Sequence, residues 1–151
     1  MMGYKHFWLW VGSLIILVAM TGCGTPAEET GGQAEGIPAS ITCEVYYRPA
    51  PSASLDGSTF SLSTAGDQET LSFETMTFAA TTISDAGEGQ SLSIVVTETT
   101  SGAELTRALY QFDPVGGLRD QFIGGHGFTG LAYVFHPASG GEIQYFCGVG
   151  E

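Results

Sequence analysis

Two histidines, His126 and His136, fall close together near the C-terminal end, the first inside the glycine cluster Gly124-Gly125-His126-Gly127 and the second just before Pro137. Imidazoles titrate near neutral pH and ligate metals, so this pair with a carboxylate from Asp113, Asp120 or Glu142 could support general acid–base or metal chemistry. That combination is the enzymatic reading: a small hydrolase or a metal-dependent enzyme. None of the five residues stands at a diagnostic spacing, however, and loop packing or solvent exposure is the simpler account of both histidines. No serine occupies a Gly-x-Ser-x-Gly elbow, so nucleophilic catalysis has no motif behind it. Asp85 and Glu88 share a glycine-rich loop and could hold calcium weakly, but without the Asp-x-Asp-x-Asp-Gly pattern a solvated turn is the simpler account. The weight falls on a non-enzymatic domain with no cofactor.

The aromatic residues offer a different chemistry. Tyr46, Tyr110, Phe112, Tyr133, Phe135, Tyr145 and Phe146 concentrate in segments that alternate like strands, so some rings must face outward. An outward ring can stack on a sugar or anchor a protein partner, whereas an inward one packs the core. A binding domain of this kind would show an exposed aromatic patch around the Tyr133 and Tyr145 segments, with His126 and His136 as further ligand-binding candidates.

Charge narrows the partners. The 151-residue chain carries 16 acidic residues against four basic ones, a net charge of −12. A surface of that sign repels phosphate backbones and anionic lipid heads, so nucleic acid is not an expected partner. An envelope protein or a glycan remains open.

The elements that must position these residues are short strands. Ile41 to Arg48 alternates, with Ile41, Cys43, Val45 and Tyr47 on one face and Thr42, Glu44, Tyr46 and Arg48 on the other, until Pro49 and Pro51 stop it. Thr59 to Ser63 and Glu69 to Phe78 continue the pattern, the latter changing phase between Phe73 and Met76 as a bulge would require. Ser91 to Thr99 leads through Thr100-Ser101-Gly102 to Glu104 to Phe112, a segment also compatible with a helical face. A short run from Leu118 to Ile123 follows. Phe128 to His136 and Glu142 to Val149 flank Pro137 to Gly141 as a terminal hairpin. About eight closely spaced strands predict an all-β, antiparallel β-sandwich over 41–151, with jelly-roll-like connections as one option and a β-barrel as the next.

The first 40 residues have another character. Phe7 to Met20 is an uncharged run of 14 residues behind a head containing Lys5. It is short for a membrane-spanning helix, which needs about 20 apolar residues, and matches the apolar centre of an export signal; a retained anchor helix is the competing reading. Met20-Thr21-Gly22-Cys23 closes the run and resembles the lipobox of bacterial lipoprotein precursors. Met20 stands where that family usually has Leu, Val or Ile. The resemblance covers residues 1–23 and implies that the signal peptide, 1–22, is removed, that Cys23 carries the lipid, and that the protein lies outside the cytoplasm. Its place would be the outer membrane or the outer face of the cell membrane. Two or three acyl chains, palmitate among them, would then hold it at the membrane stably, where one holds only marginally. Residues 24–40 are rich in Gly, Pro, Ala and Glu and read as a flexible tether with a reach of roughly 20 to 25 Å.

Export also bears on the other two cysteines. Cys43 and Cys147 sit in the first and last predicted strands, each flanked by apolar residues on its own face. An oxidising compartment favours a disulfide between them over two buried thiols, and the absence of a short Cys/His spacing argues against a metal pair. With Cys23 taken by lipid, the three cysteines leave an even pair.

Overall fold

The structure, a computed structural model, describes residues 38–85, 89–113, 117–122 and 124–150. The signal-peptide segment 1–22, Cys23, the tether as far as 37, and Glu88 of the calcium candidate lie outside those residues. Eight strands make up the domain: β1 (Ser40–Arg48), β2 (Asp56–Ser63), β3 (Asp67–Ser72), β4 (Met76–Asp85), β5 (Gly89–Glu98), β6 (Glu104–Gln111), β7 (Ala132–Phe135) and β8 (Glu142–Val149).

They form two antiparallel four-stranded sheets, sheet A in the order β2-β1-β8-β7 and sheet B in the order β3-β4-β5-β6. The expected antiparallel β-sandwich is therefore the observed fold. Its strands succeed one another around the two sheets in chain order, and β8 returns to pair with β1. Only the β2–β3 and β6–β7 links pass between sheets, which is the order of an up-and-down barrel flattened along two seams rather than that of a jelly roll.

Strict alternation on β1 buries Ile41, Cys43, Val45 and Tyr47. The same period on β4 and β5 buries Met76, Phe78, Ala80, Leu92, Ile94 and Val96 against them. Burying a side chain such as Phe78 or Ile94 contributes roughly 1.5–3 kcal/mol. Phe78 lies at the centre, its ring 5.3 Å from that of Tyr145 and 6.3 Å from that of Phe60. Polar groups that enter the core are satisfied: the Thr82 hydroxyl donates to the Ser63 carbonyl at 2.6 Å and accepts from Asp67 N at 2.7 Å, tying β4 across the β2–β3 seam.

Three local expectations need correction. The phase change between Phe73 and Met76 is a reversal of the chain, not a bulge; Phe73 N donates to Met76 O at 2.9 Å and the two arms become β3 and β4. A turn flips the inward set just as an inserted residue does, and the alternation cannot tell them apart. Leu118 to Gln121 form no strand, and the segment beginning at Phe128 is turn until Ala132. Among the described residues the register shift falls between Val96 and Thr97, opposite β6. Residues 104–111 are strand, as their neighbours suggested.

β7 covers only part of β8, and the crossover from β6 covers the rest. Thr129 Oγ1 accepts from Cys147 N at 2.8 Å, Asp120 Oδ1 accepts from Val149 N at 2.9 Å, and Phe128 N donates to Cys147 O at 2.9 Å. Side chains and loop backbone thus stand in for a missing strand, so the β8 edge keeps its hydrogen bonds.

Candidate functional site

The histidines do not converge. His136 is buried, with Nε2 at 3.3 Å from Glu98 Oε1, while Nδ1 accepts from Ser139 N at 3.1 Å and Ala138 N at 3.3 Å. An Nδ1 that accepts two backbone N–H groups leaves the ring proton on Nε2, where it donates to Glu98. The ring thereby clasps the β7–β8 loop to the end of β5. Glu98 also accepts from the Ser101 hydroxyl. These two hydrogen bonds, Ser101 first, hold its carboxyl below the usual carboxylate range against the opposing effect of burial.

His126 lies elsewhere, edge-on to the Phe146 ring at 5.3 Å. Phe146 faces out of sheet A and lies four positions along β8 from Glu142, the register partner of Phe135, which precedes His136. At 3.3–3.4 Å per residue that is about 13 Å of strand, with the two rings on opposite sides of the sheet. The candidate carboxylates are likewise dispersed. Asp120 caps β8, Glu142 pairs with Arg48, and Asp113 lies in the β6–β7 crossover, where its backbone bridges to Gly117. Among the described residues no three His, Cys, Asp or Glu side chains are placed to share a metal ion.

Tyr145 is also corrected as a surface candidate. It is inward and buried, its hydroxyl 3.4 Å from that of Tyr110 across the β6–β7 seam. Burial, and then the Tyr110 hydroxyl, push its phenol well above the usual value. Even-numbered and odd-numbered residues of β8 face opposite ways, and Tyr145 shares its parity with Cys147.

What the fold does assemble is the outer face of sheet A. Tyr133 and Phe135, on alternate positions of β7, are 51% and 60% exposed, with rings parallel to within 9° and centroids 6.5 Å apart. The β7–β8–β1 register places Tyr133, Gln144 and Tyr46 in one row, and Phe135, Glu142 and Arg48 in the next. Within the rows the polar groups are tied together. Arg48 Nε donates to Glu142 Oε2 at 2.9 Å, Gln144 Nε2 donates to Glu142 Oε1, and the Tyr46 hydroxyl donates to Glu44 Oε2 at 2.6 Å. That bond to Glu44, more than its charge, raises the Tyr46 phenol. A hollow of about 470 Å³ adjoins the rows, lined by Thr42, Glu44, Ser61, Asp120 and Phe146.

The outer face of sheet B makes the contrast. Its outward rows hold Thr70, Ala79, Thr81, Ser93, Val95 and Leu109 among others, with no aromatic residue. Alternation along β1 put Glu44, Tyr46 and Arg48 on one face in advance, but their pairing with β8 depends on contacts 94 positions apart, as in Arg48 with Glu142. The Cys43–Cys147 bond, S–S 2.05 Å, locks that same β1–β8 pair from the inner side. No protein-family model, no curated protein and no solved structure matches this chain.

Proposed function

We propose that this chain is a lipid-anchored protein of the cell envelope whose β-sandwich is a non-enzymatic binding module. The observation that carries the binding reading is the outward ring pair Tyr133–Phe135, more than half exposed beside a fixed polar network on one face only. Two adjacent exposed rings form a contiguous apolar patch rimmed by polar residues, the kind of surface feature that marks a binding site, whereas hydrophobic residues exposed singly do not. Cys23 supplies the anchor, and the tether that lets the sandwich stand off the lipid stops short of Pro38 and Ala39, whose carbonyls accept from Thr64, and of Ser40, where β1 begins. The disulfide supports a compartment outside the cytoplasm.

The anchor is tested by mass spectrometry of the mature N-terminus together with detergent partitioning. The expected result is an acylated Cys23 at residue one of the mature protein, with Cys23→Ser leaving an unprocessed, unlipidated precursor. A mature protein that begins elsewhere, or carries an unmodified Cys23, removes the anchor from the reading.

A further inference from the structure

We infer that the outer face of sheet A binds an uncharged polysaccharide, with Tyr133 and Phe135 as the stacking surface and Tyr46, Arg48 and Gln144 as its polar flank. This rests on the binding-module reading and gives it a ligand class.

A pyranose ring offers an apolar C–H face and a rim of hydroxyls that both donate and accept. The first needs an exposed apolar surface, which two stacked rings on alternate positions of one strand, each more than half exposed, provide. The second needs planar donors and acceptors beside that surface, and the two rows supply a guanidinium, an amide and a phenol. Tyr46 lies two strands from Tyr133, about 9–10 Å at the usual interstrand spacing, so the rows span more than one sugar. Its ring lies against Gly57 of β2, where an added Cβ would come within 2.8 Å of Tyr46 Cε1, so the glycine leaves room for the ring on the sheet face. Tyr46, Arg48 and Gln144 sit on strands and are already hydrogen-bonded to neighbours, which lowers the ordering cost of binding.

Charge separates this ligand from the others. Arg48 offsets Glu142, and Tyr46 donates to Glu44, so the patch itself draws little on cations. The remainder of the chain, at 16 acids to four basic residues, repels anionic polymers. A protein partner would need a dry core within a patch of about 800 Å² per side, and two rings on a four-residue edge strand beside an ion pair do not provide it.

The test applies the purified full chain in detergent micelles to cellulose, chitin and a neutral glycan array, with dextran sulfate as the anionic control. Binding to at least one uncharged glycan is expected, weakened about tenfold or more by Y133A/F135A and unchanged by Leu109→Ala, an equally exposed side chain on sheet B. Circular dichroism of each variant checks that the sandwich is intact. Retention on dextran sulfate alone, no retention on any neutral glycan, or equal retention of the double variant overturns the inference. A photo-crosslinking residue at position 135 in intact cells separates the two readings. An adduct with an envelope protein, when the neutral glycans fail, overturns the polysaccharide and leaves the binding module standing; no adduct and no glycan removes both.

Discussion

Cys43 and Cys147 are register partners on adjacent strands, so the bond between them joins the first and last strands of the domain at the point where the circuit of eight closes. The cysteines are 104 positions apart, and cross-linking them removes much of the freedom of the unfolded chain. Replacing both with alanine should lower stability by about 2–5 kcal/mol, read from denaturant unfolding of wild type and the double variant. Non-reducing peptide mapping should recover the two cysteines in one linked pair. Free-thiol labelling of both in the native protein would contradict the bridge.

Gly127 sits where the β6–β7 crossover meets β8. Its φ is +60°, and an added Cβ would lie 2.0 Å from the carbonyl oxygen of Cys147, a backbone atom that cannot swing aside. Gly102 has a φ of +71° but open space around the same position. Gly102→Ala should therefore cost about 1–2 kcal/mol, the left-handed backbone penalty alone. Gly127→Ala should cost distinctly more, because the loop must also leave the β8 edge. Equal losses in thermal unfolding would show that this contact is not made.

Much of the fold was legible in alternation because the sandwich buries one face of nearly every strand. Ile41, Cys43, Val45 and Tyr47 point inward as their spacing requires, and the cysteine pair followed from their places in the first and last strands. The turn at Phe73–Thr75 was hidden because a reversal and a bulge leave the same mark on a period-two pattern. The histidines misled for a different reason. Proximity in sequence says nothing about which side of β8 a loop residue reaches, and His126 and His136 reach opposite sides. The Arg48–Glu142–Gln144 network was illegible in advance, since it exists only once the two ends of the chain are paired.

Thr129 stands in for a strand. Its hydroxyl accepts the Cys147 N–H at 2.8 Å at a position of β8 that β7 does not reach. Thr129→Val keeps the shape of the side chain and removes the acceptor, leaving a buried N–H without a partner. The expected cost is about 1–3 kcal/mol. Thr129→Ser, which keeps the acceptor, should recover most of it. Hydrogen exchange at Cys147 gives a local readout: its amide should be protected in wild type and in the serine variant, and exchange faster in the valine variant.

Glu98 ties stability to pH. The Ser101 hydroxyl and the His136 ring hold its carboxyl below the ordinary value of 4.5, so the folded state keeps this proton less readily than the unfolded chain does. A carboxyl with a depressed folded-state pKa adds stability that is complete above its unfolded value and fades as pH falls through the folded one. Glu98→Gln removes the charge and with it that dependence. The difference in melting temperature between wild type and Glu98→Gln should be largest at about pH 6 and should shrink steadily below 4.5 as wild-type Glu98 takes up its proton. His136→Gln should narrow the pH span over which wild type loses this stability, because one of the two hydrogen bonds that depress Glu98 is weakened, while Ser101→Ala should narrow it further, Ser101 being the stronger influence. A gap between wild type and Glu98→Gln that stays constant from about pH 6 to about pH 3 would mean that the clasp between the β7–β8 loop and β5 does not depend on the Glu98 charge.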